Sequence, residues 1–295
     1  MKIEYRILWL EDDISWLRVP KNRIEKEIES YGFIPLINTI NDCDLTKMEY
    51  NDYDLILVDY NLNCGSEKRG NNILTLLRNR KILADAIFYS NTDIATLYEK
   101  VKQDKISNVS IFDRGVFNDE NIDQIYEIIT YYLKKDLDLN SMRGIMMSEV
   151  AKFDNIIWDI LRNITDVESL IPYVRCRTKV QKTNFDNMSN DVLREKLLSK
   201  NDSTAFLTSS MRYKLLKNLI KKISKSNESY SSLYNSLKVF YDEIIKERNA
   251  LAHRENLMEN DEEKFKLIRK NIIKHKKSLN ELLNLIKFDI NSSSN

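Results

Sequence analysis

The sequence predicts an α/β domain followed by an all-helical domain. The first half alternates short, continuously apolar runs with longer amphipathic ones, whereas after Leu133–Ser141 only apolar residues at three-to-four spacing recur. The first pattern of apolar residues is typical of a parallel sheet covered on both faces, and the second pattern is typical of packed helices. We therefore predict a doubly wound five-stranded parallel sheet at 1–135, a linker at 136–141, a helical bundle at 142–290 and a disordered tail at 291–295.

Five strands are predicted in the first domain, and helical patterns such as NNILTLLRNR and IATLYEKVKQ lie between them. In a sheet of this kind the ligand crevice lies beyond the carboxyl ends of the strands. The predicted strands are Tyr5–Glu11, Phe33–Ile40, Tyr53–Tyr60, Asp85–Ser90 and Val109–Asp113.

About five helices are predicted in the second domain from the spacing of apolar residues. They lie at 146–164, 190–200, 211–223, 233–253 and 263–287. The intervening segment YVRCRTKVQK, Tyr173–Lys182, is predicted to be a basic loop.

The formal net charge of +1 conceals an asymmetry between the two halves. Residues 1–140 hold 18 Lys and Arg against 25 Asp and Glu, a balance of −7, and residues 141–295 hold 28 against 20, a balance of +8. A basic half favours contact with a polyanion. Two ordinary solvated surfaces explain the same balance equally well.

Composition excludes several classes of protein. With 42% hydrophobic and 31% charged residues, the chain of 295 residues is globular rather than disordered. Three distant cysteines without a CxxC pair support neither a zinc site nor a disulfide framework. The N-terminus reaches acidic residues too soon for a signal peptide, and no apolar run approaches membrane-spanning length, so we expect a cytoplasmic protein without membrane contact.

Carboxylates gather where two strands end. Glu11, Asp12 and Asp13 follow the first strand, and Asp59 ends the third. Because these strands are neighbours in such a sheet, their carboxylates should converge, and Mg²⁺ suits a cluster of oxygen ligands. A carboxylate beside Mg²⁺ is placed to attack a phosphoryl group. The hydroxyl of Ser90, at the end of the fourth strand, would contact that group.

This pattern resembles the receiver domain of response regulators over residues 3–135. The resemblance implies that Glu11 and Asp12 are the acidic pair of the Mg²⁺ site and that Asp59 is the phosphoacceptor. It also implies that Ser90 is the switch hydroxyl. A histidine kinase or another phosphodonor would then be a partner.

The sequence departs from the receiver pattern after the fifth strand. The family has a lysine followed by proline, whereas the segment FDRGVF offers Asp113 and Arg114. Arg114 would supply the positive charge but hold a phosphoryl oxygen differently from a lysine, and an aspartate there would repel the phosphoryl group. A receiver-shaped module that is not phosphorylated and only mediates contacts is the alternative.

The segment KERNALAHRE carries the main candidate for catalysis, on a helix predicted to run from Leu233 to Arg254. Asn249 and His253 share a face, ~40° apart, whereas Arg248 lies ~140° from His253. Imidazole can remove the proton of an RNA 2′-hydroxyl, and guanidinium can stabilise the charge of the phosphate transition state. Cleavage would leave a 2′,3′-cyclic phosphate and require no metal ion.

The RNALAH sequence resembles the R-x4-6-H motif of HEPN ribonucleases, and more loosely the resemblance covers residues 142–290. It implies a homodimer in which two motif helices pack together, so that Arg248 of one chain meets His253 of the other. Two alternatives stay open: a helix end where His253 favours the helix dipole, and a HEPN fold that binds RNA without cleaving it. His275 is predicted to be a solvated residue on a basic helix.

Four basic residues of Tyr173–Lys182 are candidates for binding single-stranded RNA, or a set of solvated charges. They are Arg175, Arg177, Lys179 and Lys182.

Together these features predict a receiver-regulated, metal-independent endoribonuclease acting as a homodimer, of the kind found among bacterial stress or phage-defence toxins. The alternative is a non-catalytic signalling adaptor whose helical domain binds a protein or RNA. A DNA-binding response regulator is disfavoured, because the helical domain exceeds a helix-turn-helix module and shows no short recognition helix after a glycine turn.

Overall fold

Five parallel strands form the centre of the first unit, Met1–Asp138. In this computed structural model the described residues are 3–41, 53–62, 69–118, 120–135, 137–164, 167–181, 187–198, 207–253 and 261–293. The strands are β1 Glu4–Leu10, β2 Ile34–Ile40, β3 Leu55–Asp59, β4 Asp85–Ser90 and β5 Val109–Asp113. The helices are α1 Ile14–Ser30, α2 Gly70–Asn79, α3 Ile94–Gln103 and α4 Ile122–Lys135.

The sheet has the strand order β2-β1-β3-β4-β5, and every neighbouring pair is parallel. All five residues of β3 are buried, as its unbroken apolar run predicts for a strand covered on both faces. The predicted α/β fold followed by a helical region is confirmed. Because β1 lies directly beside β3, with Leu10 opposite Val58, the ends of these two strands meet at one edge.

Gly70 lets the start of α2 lie against the end of β3. A Cβ atom at this position would lie 2.1 Å from the carbonyl oxygen of Asp59 and 2.9 Å from a methyl carbon of Val58. The Gly70 amide donates a hydrogen bond to the carbonyl of Tyr60 at 3.0 Å. Only a residue without a side chain fits this approach, so Gly70 fixes the backbone that carries Asp59.

The second unit, Leu139–Asn295, is helical. Its α-helices are α5 Leu139–Ile164, α6 Val167–Gln181, α7 Asn190–Leu198, α8 Ser209–Ile223, α9 Ser231–Phe240, α10 Glu247–His253 and α11 Glu262–Ser293. Helix α5 begins at the unit boundary. Helix α11 continues to Ser293, and so includes residues expected in a disordered tail.

Helix α6 contradicts the predicted basic loop at Tyr173–Lys182. The helix continues to Gln181, and Lys182 lies outside the described residues. Its apolar side, Leu170, Ile171 and Val174, is buried, and arginine, lysine and glutamine are good helix formers. The sequence analysis gave weight to the charges and overlooked this stripe.

The segment predicted as one helix from Leu233 is helical throughout but not uniformly α-helical. A π-helical segment, Tyr241–Lys246, lies between α9 and α10. Such segments are rare and often occur beside functional sites. Arg254, the predicted last residue, lies outside the described part of the chain.

His275 is buried, so the prediction of a solvated side chain is wrong. Its side chain is 1% exposed and its ring meets that of Phe240 edge to face, with centroids 5.1 Å apart. The Nε2 atom lies 2.7 Å from a carboxylate oxygen of Glu243 in the π-helical segment. Burial lowers the pKa of His275, although the Glu243 carboxylate opposes that shift.

No helix among the described residues is both long enough and apolar enough to cross a membrane.

Candidate functional site

An acidic cluster lies where β1 and β3 end. One carboxylate oxygen from each of Glu11, Asp12 and Asp59 lies within 4.8 Å of the others. Glu11 and Asp59 are buried and Asp12 is half-buried. The sequence analysis proposed these three residues as Mg²⁺ ligands, and the adjacency of β1 and β3 brings them together.

Glu11 is the most enclosed member of the acidic cluster. Its carboxylate accepts hydrogen bonds from the hydroxyl of Tyr89 at 2.9 Å, the amide of Asp13 at 3.0 Å and the guanidinium of Arg114 at 3.1 Å. Burial, reinforced by the nearby charge of Asp59, raises the pKa of Glu11 to about 7. This carboxyl is therefore close to its titration midpoint near neutral pH.

Arg114 stands beside the acidic cluster, at the start of a 3₁₀ turn that follows β5. Its guanidinium bridges Glu11 and Asp13, at 3.1 and 3.5 Å, and its central carbon lies 4.0 Å from the ring centroid of Trp16. Stacking and ion pairing hold an arginine in one place, so the positive charge is fixed rather than mobile.

Asp113, which directly precedes Arg114, makes a local hydrogen bond. Its carboxylate accepts a hydrogen bond from the amide of Gly115 at 2.7 Å and caps the 3₁₀ turn. Aspartate commonly makes such a bond at turns, and the sequence analysis did not foresee it. Repulsion of a phosphoryl group by Asp113 stays a prediction.

Asp59 and Ser90 are joined by residues that the sequence analysis missed. The amide of Asn61 donates to Asp59 Oδ1 at 3.2 Å, and the Asn61 side chain donates to Ser90 Oγ at 2.8 Å and to Thr92 Oγ1 at 3.0 Å. Burial raises the pKa of Asp59, with Asp12 adding to the shift. Asn61 and Thr92 each lie two residues beyond the end of a strand, and that position was the available signal.

The second candidate site predicted from the sequence lies on α10, with Arg248, Asn249 and His253. Asn249 and His253 are exposed and four residues apart on one α-helical face, whereas Arg248 is half-buried. All three lie after the π-helical segment, so the α-helical angles that separate them still apply. Within one chain the helix does not turn Arg248 and His253 to the same side.

Arg248 belongs to a partly buried polar group in the helical unit. Its Nε atom is buried and has no hydrogen-bond partner among the described residues. Burial raises the pKa of Asp154 on α5, while the Ser209 hydroxyl, which donates to it, and the charges of Arg212 and Arg248 oppose that shift. Asp154 is therefore a carboxyl within electrostatic reach of the Arg248 guanidinium.

A cavity of ≈ 300 Å³ opens between α5 and α10. Six residues line it: Arg143, Met146, Met147, Arg248, Leu251 and Ala252. Arg143 donates from Nε to the carbonyl of Leu251 at 2.6 Å, so α5 holds the last turn of the helix that carries His253. The sequence analysis did not identify Arg143, because its relation to α10 depends on the packing of two distant segments.

The basic candidates on α6 are only partly described. Arg175 bonds to the carbonyl of Met188 at 2.6 Å and to the side-chain oxygen of Asn190 at 2.7 and 2.9 Å. It therefore ties α6 to the first residue of α7 and to the segment just before it. The side chains of Arg177 and Lys179, like Lys182, lie outside the described part of the chain.

Solved structures of response-regulator receiver domains match the N-terminal part of the chain. They include a signal receiver domain from Vibrio parahaemolyticus (17% identity, 45% of this chain and 92% of that one, TM-score 0.35) and the receiver domain of a Francisella response regulator (17%, 45% and 98%, TM-score 0.35). A CheY-like receiver domain protein from Methanospirillum hungatei also matches (18%, 45% and 98%, TM-score 0.34). No family model and no curated protein matches the chain.

Proposed function

We propose that the chain is an endoribonuclease that works as a homodimer without a metal ion, under the control of a receiver-like unit, as a stress or phage-defence effector in bacteria. One observation carries the proposal. Asn249 and His253 are exposed on one face of α10, and Arg248 is turned towards a cavity with a second arginine. An imidazole that can accept a proton and guanidinium groups that can stabilise phosphate charge suit transfer to the RNA 2′-hydroxyl.

In the proposed reaction His253 takes the proton of a 2′-hydroxyl as its oxygen bonds to the adjacent phosphorus. The bond from phosphorus to the 5′-oxygen breaks, and that oxygen receives a proton from water or from a protonated imidazole. Arg248 stabilises the additional negative charge on the phosphate, because its planar fork matches two oxygens. Asn249 orients the imidazole or donates to a phosphate oxygen. The products are a 2′,3′-cyclic phosphate and a 5′-hydroxyl.

A second copy of the chain would complete the site. Arg248 and His253 are ~140° apart around α10, so one RNA phosphate cannot readily meet both from the same helix. Two α10 helices related by a twofold axis would place Arg248 of one chain opposite His253 of the other, and would do so twice.

The receiver-like unit would supply the control. A phosphoryl group from a histidine kinase or another donor would be received by Asp59, and Ser90 and Arg114 would contact it. Mg²⁺ fits Glu11, Asp12 and Asp59, since three oxygen donors converge there, and the ion would neutralise their charge and that of phosphoryl oxygens. Phosphorylation would then shift the balance between two arrangements of the dimer.

RNA cleavage in excess EDTA tests the proposal. We expect the wild-type chain to leave cyclic-phosphate ends, and Arg248→Ala and His253→Ala to abolish cleavage. Lys246→Ala is the matched control, because Lys246 is an exposed cation just before α10 that pairs with Asp242. No cleavage by the wild type, with or without prior acetyl phosphate and Mg²⁺, would contradict the proposal.

A non-catalytic adaptor is the second candidate. The ~140° between Arg248 and His253 around α10 favours it. In a chain that acts as a single copy, the cavity lined by two arginines would have no imidazole opposite it. An adaptor of this kind would bind RNA or a protein, and His253→Ala would leave that binding intact.

A further inference from the structure

The cavity between α5 and α10, here called the Arg143 cavity, has the composition of an anion site. Two of its six lining residues are arginines, the other four are apolar, and no carboxylate is among the described residues that line it. Two guanidinium groups at one small cavity create a positive potential there, which an anion between them would lower. The lining therefore favours a negatively charged occupant.

Arg143 is only partly used by the protein itself. Its Nε atom donates to the Leu251 carbonyl at 2.6 Å, which fixes the direction of the side chain. The structure gives its two terminal nitrogens no hydrogen-bond partner among the described residues. A guanidinium held by one nitrogen, with two left for a ligand, is prearranged for a phosphate group.

The apolar part of the cavity suits a flat ring. Met146 is fully buried, whereas Met147 is 47% exposed and so lies at the mouth. Thioether groups make favourable contacts with aromatic rings, and a nucleobase offers such a ring without charge. A volume of ≈ 300 Å³ lies at the low end for small-molecule sites, as expected for one nucleotide rather than several.

We propose that the Arg143 cavity is a subsite for one nucleotide of single-stranded RNA. Arg143 holds the phosphate next to the one that Arg248 stabilises during cleavage, and Met147 contacts the adjoining base. This rests on the proposed function and deepens it, since Arg143 becomes a substrate-binding residue that the reaction itself does not use. RNA next to the cleaved phosphate would thereby be held on α5, beside the helix that carries His253.

The test measures RNA binding without cleavage, using the full chain with His253→Ala. A fluorescent decameric oligouridylate is titrated at several salt concentrations, because each phosphate contact to a single strand contributes about 0.7 to the slope of log K against log salt. We expect Arg143→Gln to weaken binding about tenfold or more and to lower the slope by about 0.7.

Arg143→Lys separates phosphate binding from a purely structural role. Lysine keeps the charge but loses the fork that holds Leu251, so we expect the salt slope to stay near that of the parent. If Arg143 only capped α10, lysine and glutamine would change binding alike. Arg162→Gln is the control, since Arg162 is also on α5 and bonds to a backbone carbonyl, that of Leu198.

A second pair of variants tests the cavity without touching Arg143. Met147→Glu places a negative charge at the mouth and should weaken binding at least tenfold, whereas Met147→Gln, of similar size, should have a much smaller effect. Both should fold, because the side chain is half-exposed.

Equal binding by Met147→Glu and Met147→Gln, or an unchanged slope in Arg143→Gln, would overturn the inference, as would a parent that binds no RNA. The two proposals fail separately. If the chain does not cleave RNA but shows these binding effects, the ribonuclease proposal is wrong and the subsite stands. If the chain cleaves RNA but shows no such effects, the subsite is wrong and the ribonuclease proposal stands.

Discussion

Replacing Gly70 with alanine should move the backbone that carries Asp59. The added Cβ atom would lie 2.1 Å from the Asp59 carbonyl oxygen, where ordinary contact begins at 3.4 Å. The start of α2 or the end of β3 must therefore shift by about 1.3 Å, because both partners are backbone and cannot rotate away. The hydrogen bond from Gly70 to Tyr60 would be strained by the same movement.

The expected change in the free energy of unfolding combines two destabilising effects and one stabilising effect. Forced overpacking costs about 1–3 kcal/mol, and a weakened backbone hydrogen bond about 1 kcal/mol. Alanine in a helix gains at most about 1 kcal/mol over glycine. We expect Gly70→Ala to lower the free energy of unfolding of the first unit by about 1–3 kcal/mol.

Urea unfolding followed by circular dichroism measures this change. Asn79→Ala is the matched control, since Asn79 is exposed at the end of the same helix and its replacement should alter stability by less than about 0.5 kcal/mol. Unchanged or increased stability of Gly70→Ala would refute the argument that close contact, rather than chain flexibility, requires glycine here.

Three further variants test individual side chains. The pKa of Glu11 is raised from 4.5 to about 7, so the stability that this carboxyl contributes in EDTA is present at pH 4.5 and is lost as the pH rises through 7. Urea unfolding at pH 5 and pH 8 should show this loss of stability in the wild type and not in Glu11→Gln. The pKa of His275 is lowered from 6.5, so its contribution to stability is present above pH 6.5 and is lost as the pH falls. The free energy of unfolding of His275→Gln should change less than that of the wild type between pH 7 and pH 5, and an identical change would contradict this. Arg175→Ala should lower stability by about 1 kcal/mol and leave the salt slope of RNA binding unchanged, because the side chain is bonded to Met188 and Asn190. A changed salt slope would instead indicate that Arg175 contacts RNA.

The sheet could be predicted because each strand carries its signal locally. The strands Asp85–Ser90 and Val109–Asp113 have the predicted bounds, and β1 differs by one residue at each end. Once the sheet is parallel and β1 lies beside β3, the meeting of Glu11 and Asp59 follows from the positions where the strands end. No tertiary detail was needed for that step.

The rest depended on contacts between segments that are far apart in the chain. The bonds from Tyr89 to Glu11 and from Arg143 to Leu251 join elements whose packing the sequence does not reveal. His275 is instructive, because it lies three residues after buried Ile272 and four before buried Leu279, at helical spacing. This spacing predicts that His275 lies on the apolar stripe, but the sequence analysis gave more weight to the charge of the surrounding lysines.

The central claim is an active site shared between two chains, and mixing two inactive variants tests it most directly. In a dimer of one Arg248→Ala chain and one His253→Ala chain, one shared site lacks both groups and the other keeps both. We expect each variant alone to be inactive and an equal mixture, after exchange of chains, to recover about a quarter of wild-type cleavage in EDTA, since half the dimers are mixed and each has one intact site. A mixture that stays as inactive as its components, although mixed dimers form, would contradict the shared site.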